Sequence, residues 1–279
     1  MAFEYYTRLA DEELSARLRR SGAVVIRGAK WCGKTETALH QAKSAIFLQD
    51  PDEYENNLLT IQTKPSLLLA GDQPRLIDEW QDFPQIWDAV RFFVDRQHKR
   101  GCFILTGSVS REMGSDEKPR HSGVGRIASM TMRPMSLLES RESSGEVSLG
   151  SLFEGTHDVT GLSPWDIEDV ARQICRGGWP EAVALGEEVV GGLASDYLDA
   201  VAERDVSLPD GVRRDPELVR AIMAAYALCT ATQADGTTIR GHVHSAREDV
   251  SRNTASSYMS ALRKDCIHPG QVPAEIKAL

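Results

Sequence analysis

The sequence contains few cysteines, and they lie too far apart to act together in a local motif. No pair has the close spacing of a zinc knuckle or a redox dithiol, and no histidine stands at ligand spacing from a cysteine. The spacing argues against both kinds of site, and we expect reduced thiols in a reducing compartment. The five cysteines are Cys32, Cys102, Cys175, Cys229 and Cys266.

Long hydrophobic runs and a signal peptide are also missing. The longest apolar candidates, such as Ser66–Ala70, are far shorter than the roughly 20 residues that cross a bilayer. Residues 1–20 carry acids and arginines where a signal peptide needs an apolar core. We therefore expect a cytoplasmic protein without a membrane segment.

Positive charge is in deficit over the whole chain. The 32 lysines and arginines are outnumbered by 41 acidic residues, for a net charge of −9. This balance is not typical of a nucleic-acid binder, although it leaves room for a local basic surface. The chain of 279 residues is 41% hydrophobic and 26% charged, which is ordinary for one large globular domain or two to three modest ones.

The first half alternates short apolar runs with longer amphipathic stretches, which indicates an α/β domain with a parallel sheet. Helices are predicted at 34–43 and 87–97 by their apolar spacing. After Trp165 no strand pattern recurs, so the second half is predicted to be mainly helical, with helices at 166–175, 191–205 and 215–229. The predicted strands are 23–27, 45–48, 75–78, 102–106 and 127–132.

Changes in composition divide the chain into successive parts. A mobile loop is predicted at 108–125, which is rich in serine, glycine and charge. The predicted parts are a nucleotide-binding core at 1–140, a linker at 141–165, a helical region at 166–210, a further helical segment at 211–264 and an irregular tail at 265–279.

Residues 28–35, GAKWCGKT, match the pattern G-x-x-x-x-G-K-[ST] without a mismatch and lie between a predicted strand and a predicted helix. The glycines let backbone N–H groups curl around phosphate oxygens. Lys34 supplies positive charge to the β- and γ-phosphates, and the Thr35 hydroxyl binds magnesium. The motif predicts a site for ATP with Mg²⁺, and the absence of an Asn-Lys-x-Asp motif only mildly disfavours GTP. The predicted nucleotide-binding residues are Gly28, Ala29, Lys30, Trp31, Cys32, Gly33, Lys34, Thr35 and Glu36.

Glu36 is unusual for such a loop. P-loops often carry serine or threonine there, near the α-phosphate, and we expect the acid to weaken nucleotide affinity.

A second acidic element follows about 45 residues later. Residues 76–79, LIDE, are predicted to end a strand in two carboxylates, which point to opposite faces of the sheet and so have different roles. Asp78 is predicted to hold the magnesium shell, and Glu79 to orient and deprotonate the attacking water. The adjacent glutamate favours hydrolysis over phosphoryl transfer to a small molecule.

Three further residues are catalytic candidates. Residues 103–108, FILTGS, form a strand that ends in hydroxyls, and either Thr106 or Ser108 is placed to contact the γ-phosphate or the water, the alternative being a simple turn. Arg126 follows the predicted mobile loop and is a candidate to supply positive charge to the transition state, in its own subunit or in a neighbour. The alternative for Arg126 is a solvated surface side chain.

The chain contains the motifs GAKWCGKT, LIDEWQ, FILTGS, GRI followed by MRPMSLLE, RGGWPEAV and YLDAVAERDV. With these motifs it resembles prokaryotic AAA+-type P-loop ATPases that carry a poorly characterised C-terminal domain. The resemblance covers most of the chain. It implies a sheet in which the LTGS strand lies between the P-loop strand and the acidic strand, followed by the helical region at 166–210 and a winged-helix-like segment at 211–264. It also implies that Thr106 or Ser108 is the sensor and that Arg126 is the arginine finger.

The chain departs from this family at its end. In the family a further domain follows the winged helix, whereas residues 265–279 here have no helix or strand periodicity and contain Pro269, Gly270 and Pro273. We expect that the following domain is absent.

Two segments of the second half have open interpretations. Residues 251–264 resemble the second helix of a helix-turn-helix or pack against neighbouring helices without binding DNA. In the first case Arg252, Asn253, Arg263 and Lys264 are placed to meet phosphates or bases. Residues 177–181, GGWPE, predict a turn with a buried tryptophan that is structural or couples the nucleotide site to the helices.

Three functions fit the sequence. The leading hypothesis is an Mg²⁺-dependent ATPase that drives a conformational change acting on a protein or nucleic-acid partner. This function is compatible with a homo-oligomer. The second is a nucleotide-gated binding module with little hydrolysis, and the third is a truncated, inactive remnant of a longer ATPase. A small-molecule kinase is disfavoured, because no second substrate motif is visible.

Overall fold

The computed structural model of the protein describes residues 4–108, 123–155, 160–185, 190–207, 211–230, 232–246 and 250–265. The predicted mobile loop falls outside these ranges except at its two ends, and so does the predicted tail after Asp265.

The described residues contain a parallel five-stranded sheet with the order β2-β3-β4-β1-β5. The LTGS strand β4 therefore lies between the P-loop strand and the acidic strand, which confirms the predicted fold. Residues 23–26 of β1 are fully buried, as expected for a central parallel strand that is covered on both faces. The strands are β1 (Ala23–Gly28), β2 (Ser44–Phe47), β3 (Arg75–Asp78), β4 (Phe103–Ser108) and β5 (Ile127–Met132).

Helices cover the sheet and make up the second half. Sequence patterns missed several of them, including α1, in which the buried stripe is only Leu14 and Leu18 among many charged residues. The helices in the described residues are α1 (Leu9–Arg20), α2 (Lys34–Gln41), α3 (Tyr54–Thr63), α4 (Gln85–Gln97), α5 (Leu149–Phe153), α6 (Ile167–Arg176), α7 (Pro180–Leu185), α8 (Val190–Glu203), α9 (Pro216–Leu228), α10 (Gly236–Ala246) and α11 (Arg252–Asp265).

The two faces of the sheet each support a hydrophobic core, because alternate strand residues point to opposite sides. One core contains Val25, Ile77 and Leu105 and packs against α4. The other contains Ile26 and Ile104 and packs against α1 and α2. A third core lies among α8 to α11, so the helical half has an interior of its own. None of the described helices combines the length and apolar character needed to cross a bilayer.

Two details of the second half differ from the sequence prediction. The predicted linker at 141–165 contains the short helix α5, which Ser148 caps by accepting a hydrogen bond from the Ser151 N–H. Between Arg133 and Asp265 the described residues include helices but no strand. The wing expected from the winged-helix resemblance is therefore not seen in that part of the chain.

A buried ion pair ties the N-terminus of the chain to the segment that follows β5. The Arg8 guanidinium donates to the Glu139 carboxylate at 2.9 Å and to the Arg133 carbonyl at 2.8 Å, and the two side chains are 4% and 7% exposed. The same carboxylate accepts from the backbone N–H groups of Leu9 and Ser136. This network accounts for the glutamate of the MRPMSLLE motif, which no sequence pattern explained.

The GGWPE turn joins the helical half to the sheet. The Met135 N–H donates to the Gly178 carbonyl at 2.5 Å, and a Cβ at Gly178 would lie 2.2 Å from the Met135 carbonyl oxygen, so a side chain is not tolerated there. Arg176 pairs with Glu142 across the same junction. The Trp179 ring is half-buried and packs against the helical core.

Glu139 provides a test of this junction through pH. Burial alone would raise the pKa of Glu139, but hydrogen bonds from the Ser136 and Leu9 N–H groups and from Arg8 outweigh it and hold the pKa below the ordinary value of 4.5. The stabilisation is therefore complete above that value and is lost as the pH falls through the lowered pKa. We expect Glu139→Gln to lower the free energy of unfolding at pH 7, with a smaller loss in acid, measured by urea unfolding at several pH values.

The exposed Glu146 supplies the control, because Glu146→Gln removes the same charge from the surface. An unfolding penalty of Glu139→Gln that stays constant from pH 7 to acid would contradict the assigned role of its carboxylate.

Candidate functional site

The loop between β1 and α2 is shaped to surround an anion. Gly28 has no room for a side chain, since a Cβ would lie 2.3 Å from the Met132 carbonyl oxygen. Gly33 has a left-handed backbone with φ of 95° and stands at the N-cap of α2, where no side chain caps the helix. The first N–H groups of α2 thus remain available to a bound anion, and the helix dipole adds positive potential there.

Lys34 lies at the centre of this loop. Its side chain is buried, and its ammonium donates hydrogen bonds to the carbonyls of Gly28 at 3.1 Å and Ala29 at 2.9 Å. A buried ammonium group has to be balanced by acceptors, and here the loop carbonyls do so. The positive charge is held within the curve of the loop.

Three oxygen-bearing side chains meet beside the start of α2. The Asp78 carboxylate accepts a hydrogen bond from the Thr35 hydroxyl at 3.0 Å and another from Thr106 on the same oxygen. The strand register brings Asp78 and Thr106 together, because Asp78 of β3 is directly paired with Thr106 of β4. Thr106 is fully buried, so its hydroxyl has a fixed direction.

Glu79 lies at the edge of the same site. The strand ends at Asp78, and Glu79 has a left-handed backbone with φ of 56°. The alternation of a strand therefore stops before Glu79, and this residue lines the same cavity as Lys34 and Thr35. Burial raises the pKa of Glu79; a hydrogen bond from Gln81 opposes the rise and the charge of Asp78 adds to it.

A cavity of about 800 Å³ extends from this site. Its walls come from the N-terminal segment, from the loop and first turn of α2, and from the start of α7. The volume lies within the range of small-molecule sites in proteins. The lining residues are Glu4, Tyr5, Tyr6, Arg8, Lys30, Trp31, Gly33, Lys34, Thr35, Glu36, Thr37, Glu79, Met135, Pro180, Glu181 and Ala184.

Comparison with known proteins identifies the first half of the chain. Residues 20–140 match the model of a family described as an AAA domain. These residues are similar to an AAA domain, and we call them the AAA domain below. Residues 167–266 match a domain of unknown function. No curated protein sequence matches the chain.

Solved structures share the fold at low sequence identity. A Walker-type ATPase of Pyrococcus abyssi is 16% identical, with a TM-score of 0.51 over 94% of this chain and 90% of that one. The AMPPCP-bound DnaA of Aquifex aeolicus is 10% identical, with a TM-score of 0.40 over 95% of both chains. The first of these similarities supports the P-loop ATPase fold of the AAA domain.

The predicted loop residues differ in what their side chains face. Lys30, Trp31 and Glu36 line the cavity of the AAA domain, whereas Cys32 is fully buried and its thiol points to the Met132 carbonyl. Burial raises the pKa of the Cys32 thiol. Of the loop positions, Ala29 and Cys32 can thus meet a ligand only through backbone groups.

One of the predicted catalytic residues, Arg126, does not join the cluster. Arg126 precedes β5 at the opposite edge of the sheet, where its carbonyl accepts from the Gly22 and Ala23 N–H groups. Six residues of strand, roughly 20 Å, separate it from the phosphate loop, and its side chain pairs with Asp95. The structure therefore does not bring Arg126 to the site of its own subunit, and the predicted role of its charge stays a prediction. Ser108 closes β4, and its side chain lies outside the described part of the chain.

Sequence reasoning missed the walls of the cavity. Arg8 donates to the Cys32 carbonyl at 2.8 Å, and Tyr5 stacks on His40 with ring centroids 4.1 Å apart. The Trp31 ring contacts Tyr197 of α8 at 5.5 Å. These residues are distant in sequence, so no motif or regular spacing connects them. The one sequence feature that pointed to the cavity was the GGWPE turn, whose proline and glutamate line it.

Glu36 gives a direct test of what the cavity holds. Glu36 is exposed in the first turn of α2, and its negative charge repels a phosphate bound at the helix start. We expect Glu36→Thr to tighten ATP binding by about two- to fivefold at low salt, the size of exposed charge effects. Isothermal titration calorimetry measures the change, and added salt should reduce it.

Glu12→Thr removes an equal charge from α1, away from the cavity, and serves as the control. Equal affinities in the parent and in Glu36→Thr would argue against a phosphate at this position.

Proposed function

We propose that the protein binds ATP with magnesium, hydrolyses it, and uses the nucleotide state to change how the helical half sits on the AAA domain. The observation that carries this proposal is the cluster of Lys34, Thr35, Asp78 and Thr106 at the carboxyl edge of the sheet, beside the uncapped start of α2. Parallel sheets bind ligands at this edge.

The cluster supports specific roles for its members. The loop N–H groups and Lys34 take the phosphates, because both offer donors in a concave, positively polarised site. Thr35 and Asp78 are both oxygen donors and lie within hydrogen-bond distance of each other, which suits the hard ligands that Mg²⁺ prefers. The ion would neutralise charge on the phosphate oxygens. Thr106 holds the Asp78 carboxylate in place, and we propose that it senses the γ-phosphate.

Glu79 is proposed as the residue that orients and deprotonates the attacking water. Glu79 lines the same cavity as Lys34 and Thr35, which the proposal places at the phosphates. Glu79 is half-buried, so its charge is less screened than that of a fully exposed carboxylate.

The cavity lining also contains groups suited to the nucleoside. Tyr5 and Tyr6 contribute aromatic side chains from the N-terminal segment, and Pro180 and Ala184 contribute apolar surface from α7. A nucleotide bound between these walls would contact both halves of the chain. That contact is the physical basis for the proposed coupling, since a ligand shifts a conformation only through differential contacts.

The partner of this motion is proposed to be a protein or a nucleic acid. In α11 the side chains of Ala255, Met259 and Leu262 are buried, so Arg252 and Asn253 lie on the outward face. This exposure is compatible with DNA contact and equally with a solvated surface. Titration of the protein into labelled duplex DNA separates the two, because only the first gives saturable, salt-dependent binding.

The alternative of a nucleotide-gated module with little hydrolysis has support of its own. Glu36 places an acid beside the phosphates, and the Glu79 carboxylate is engaged by Gln81 rather than free. Magnesium-dependent phosphate release from the purified protein decides between the two functions.

Two substitutions test the proposed site by separating binding from turnover. Lys34→Ala removes the buried ammonium, and we expect ATP binding to weaken by about 100-fold, since charge-assisted hydrogen bonds are lost. Glu79→Gln keeps the shape but removes the base, so ATP should bind as in the parent while phosphate release falls by about 100-fold or more. Calorimetry and a phosphate-release assay measure the two effects.

Thermal melting of both variants controls for misfolding. Parent-like ATP affinity in Lys34→Ala would reject the phosphate site, and parent-like turnover in Glu79→Gln would reject the role of Glu79.

Arg126 is proposed to act on the site of a neighbouring subunit. Its side chain is half-exposed, and it directly precedes β5, the edge strand of the sheet, so it is accessible to another molecule. We expect specific ATPase activity to rise with protein concentration, and Arg126→Ala to remove that rise while leaving ATP affinity unchanged. Turnover is measured over a hundredfold range of concentration.

The comparison variant is Arg96→Ala, which removes another cation from the same side of the AAA domain. Specific activity that does not depend on concentration would show that no neighbour completes the site.

A further inference from the structure

Gln81 occupies a position between the proposed base and the strand that carries Thr106. It lies in the short 3₁₀ turn Trp80–Asp82 that follows Glu79. Its side-chain amide donates a hydrogen bond to the Glu79 carboxylate. The amide oxygen of the same side chain is buried and has no hydrogen-bond partner. A buried acceptor without a partner costs free energy. Other contacts of the side chain therefore have to stabilise this position of the amide.

The Gln81 amide packs closely against Gly107 of β4. A Cβ added at Gly107 would lie 1.8 Å from the Gln81 amide oxygen and 2.8 Å from its carbonyl carbon. The backbone of Gly107 has no positive φ, so its conformation does not require glycine. What requires glycine here is the close approach of the Gln81 amide to the backbone of β4, directly after Thr106.

Glu79 needs such an external contact. It is a non-glycine residue with a left-handed backbone, φ 56° and ψ 42°, a conformation that persists only where surrounding groups hold it. Gln81 supplies a hydrogen bond to the charged end of that side chain. The catalytic geometry of a base depends on such support, because a displacement of about 1 Å can cost a hundredfold in rate.

We infer that Gln81 is a positioning residue for hydrolysis, which orients the Glu79 carboxylate and, through its contact with Gly107, links that carboxylate to the strand bearing Thr106. The inference rests on the proposed ATPase function. Through these two contacts, a displacement of the β4 backbone at Gly107 would reach the Glu79 carboxylate. The glycine of the LTGS motif, Gly107, and the glutamine of the LIDEWQ motif, Gln81, thereby act as one unit.

Two single substitutions disturb the contact from opposite sides. Gln81→Met keeps the volume of the side chain but removes the donor to Glu79. Gly107→Ala leaves Gln81 in the chain but places a methyl group where its amide now lies. We expect each to lower kcat for ATP by about tenfold or more, with ATP affinity changed by less than about twofold, since neither residue lines the cavity.

The double variant gives the decisive comparison. If both substitutions act through the same contact, Gln81→Met with Gly107→Ala is no slower than the slower single variant, whereas independent effects multiply. The control is Gln85→Ala, which removes an exposed glutamine at the start of α4 and should keep the parent rate. Binding calorimetry and thermal melting verify that each variant folds and binds ATP.

The outcomes separate this inference from the proposed function. A parent protein that releases no phosphate overturns the ATPase proposal, and the role of Gln81 falls with it. A parent that hydrolyses ATP with Gln81→Met at the same rate overturns the role of Gln81 alone. Multiplicative losses in the double variant overturn the shared contact with Gly107.

Discussion

The site depends on the parallel register of three neighbouring strands. Because β3, β4 and β1 end at the same edge of the sheet, Asp78, Thr106 and the phosphate loop arrive side by side although they are far apart in the chain. The hydrogen bonds from Thr35 and Thr106 to a single Asp78 oxygen depend on that register. A shift of the β3 register by one residue would turn the Asp78 side chain to the other face of the sheet, and these hydrogen bonds would be lost.

The second structural requirement is the attachment of the helical half to the AAA domain. The buried pair Arg8–Glu139 ties the N-terminal segment to the chain after β5, and Arg8 also reaches the Cys32 carbonyl in the phosphate loop. The close backbone contact of Met135 with Gly178 then places α7 over the cavity. One set of contacts thus joins the loop, the N-terminus and the helices, which is the arrangement that a nucleotide-dependent motion needs.

The motifs quoted from the sequence differ in how much they explain. GAKWCGKT and LIDE pointed directly to Lys34, Thr35 and Asp78, because their chemistry is contained in a few consecutive residues. MRPMSLLE and GGWPEA carried no recognisable chemistry. The structure gives them packing and hydrogen-bonding roles at the junction of the two halves, where Glu139 and Gly178 act on residues remote in sequence.

The sequence by itself determined the phosphate loop, the five strands, the parallel sheet and most of the long helices, because apolar periodicity and a contiguous motif are local properties. Only the tertiary structure decided that Arg126 is remote from the loop, that Cys32 faces the core, and that Gln81 reaches Glu79 past Gly107. Those outcomes depend on strand register, on burial and on a left-handed residue after β3. No local pattern records how distant segments meet in space.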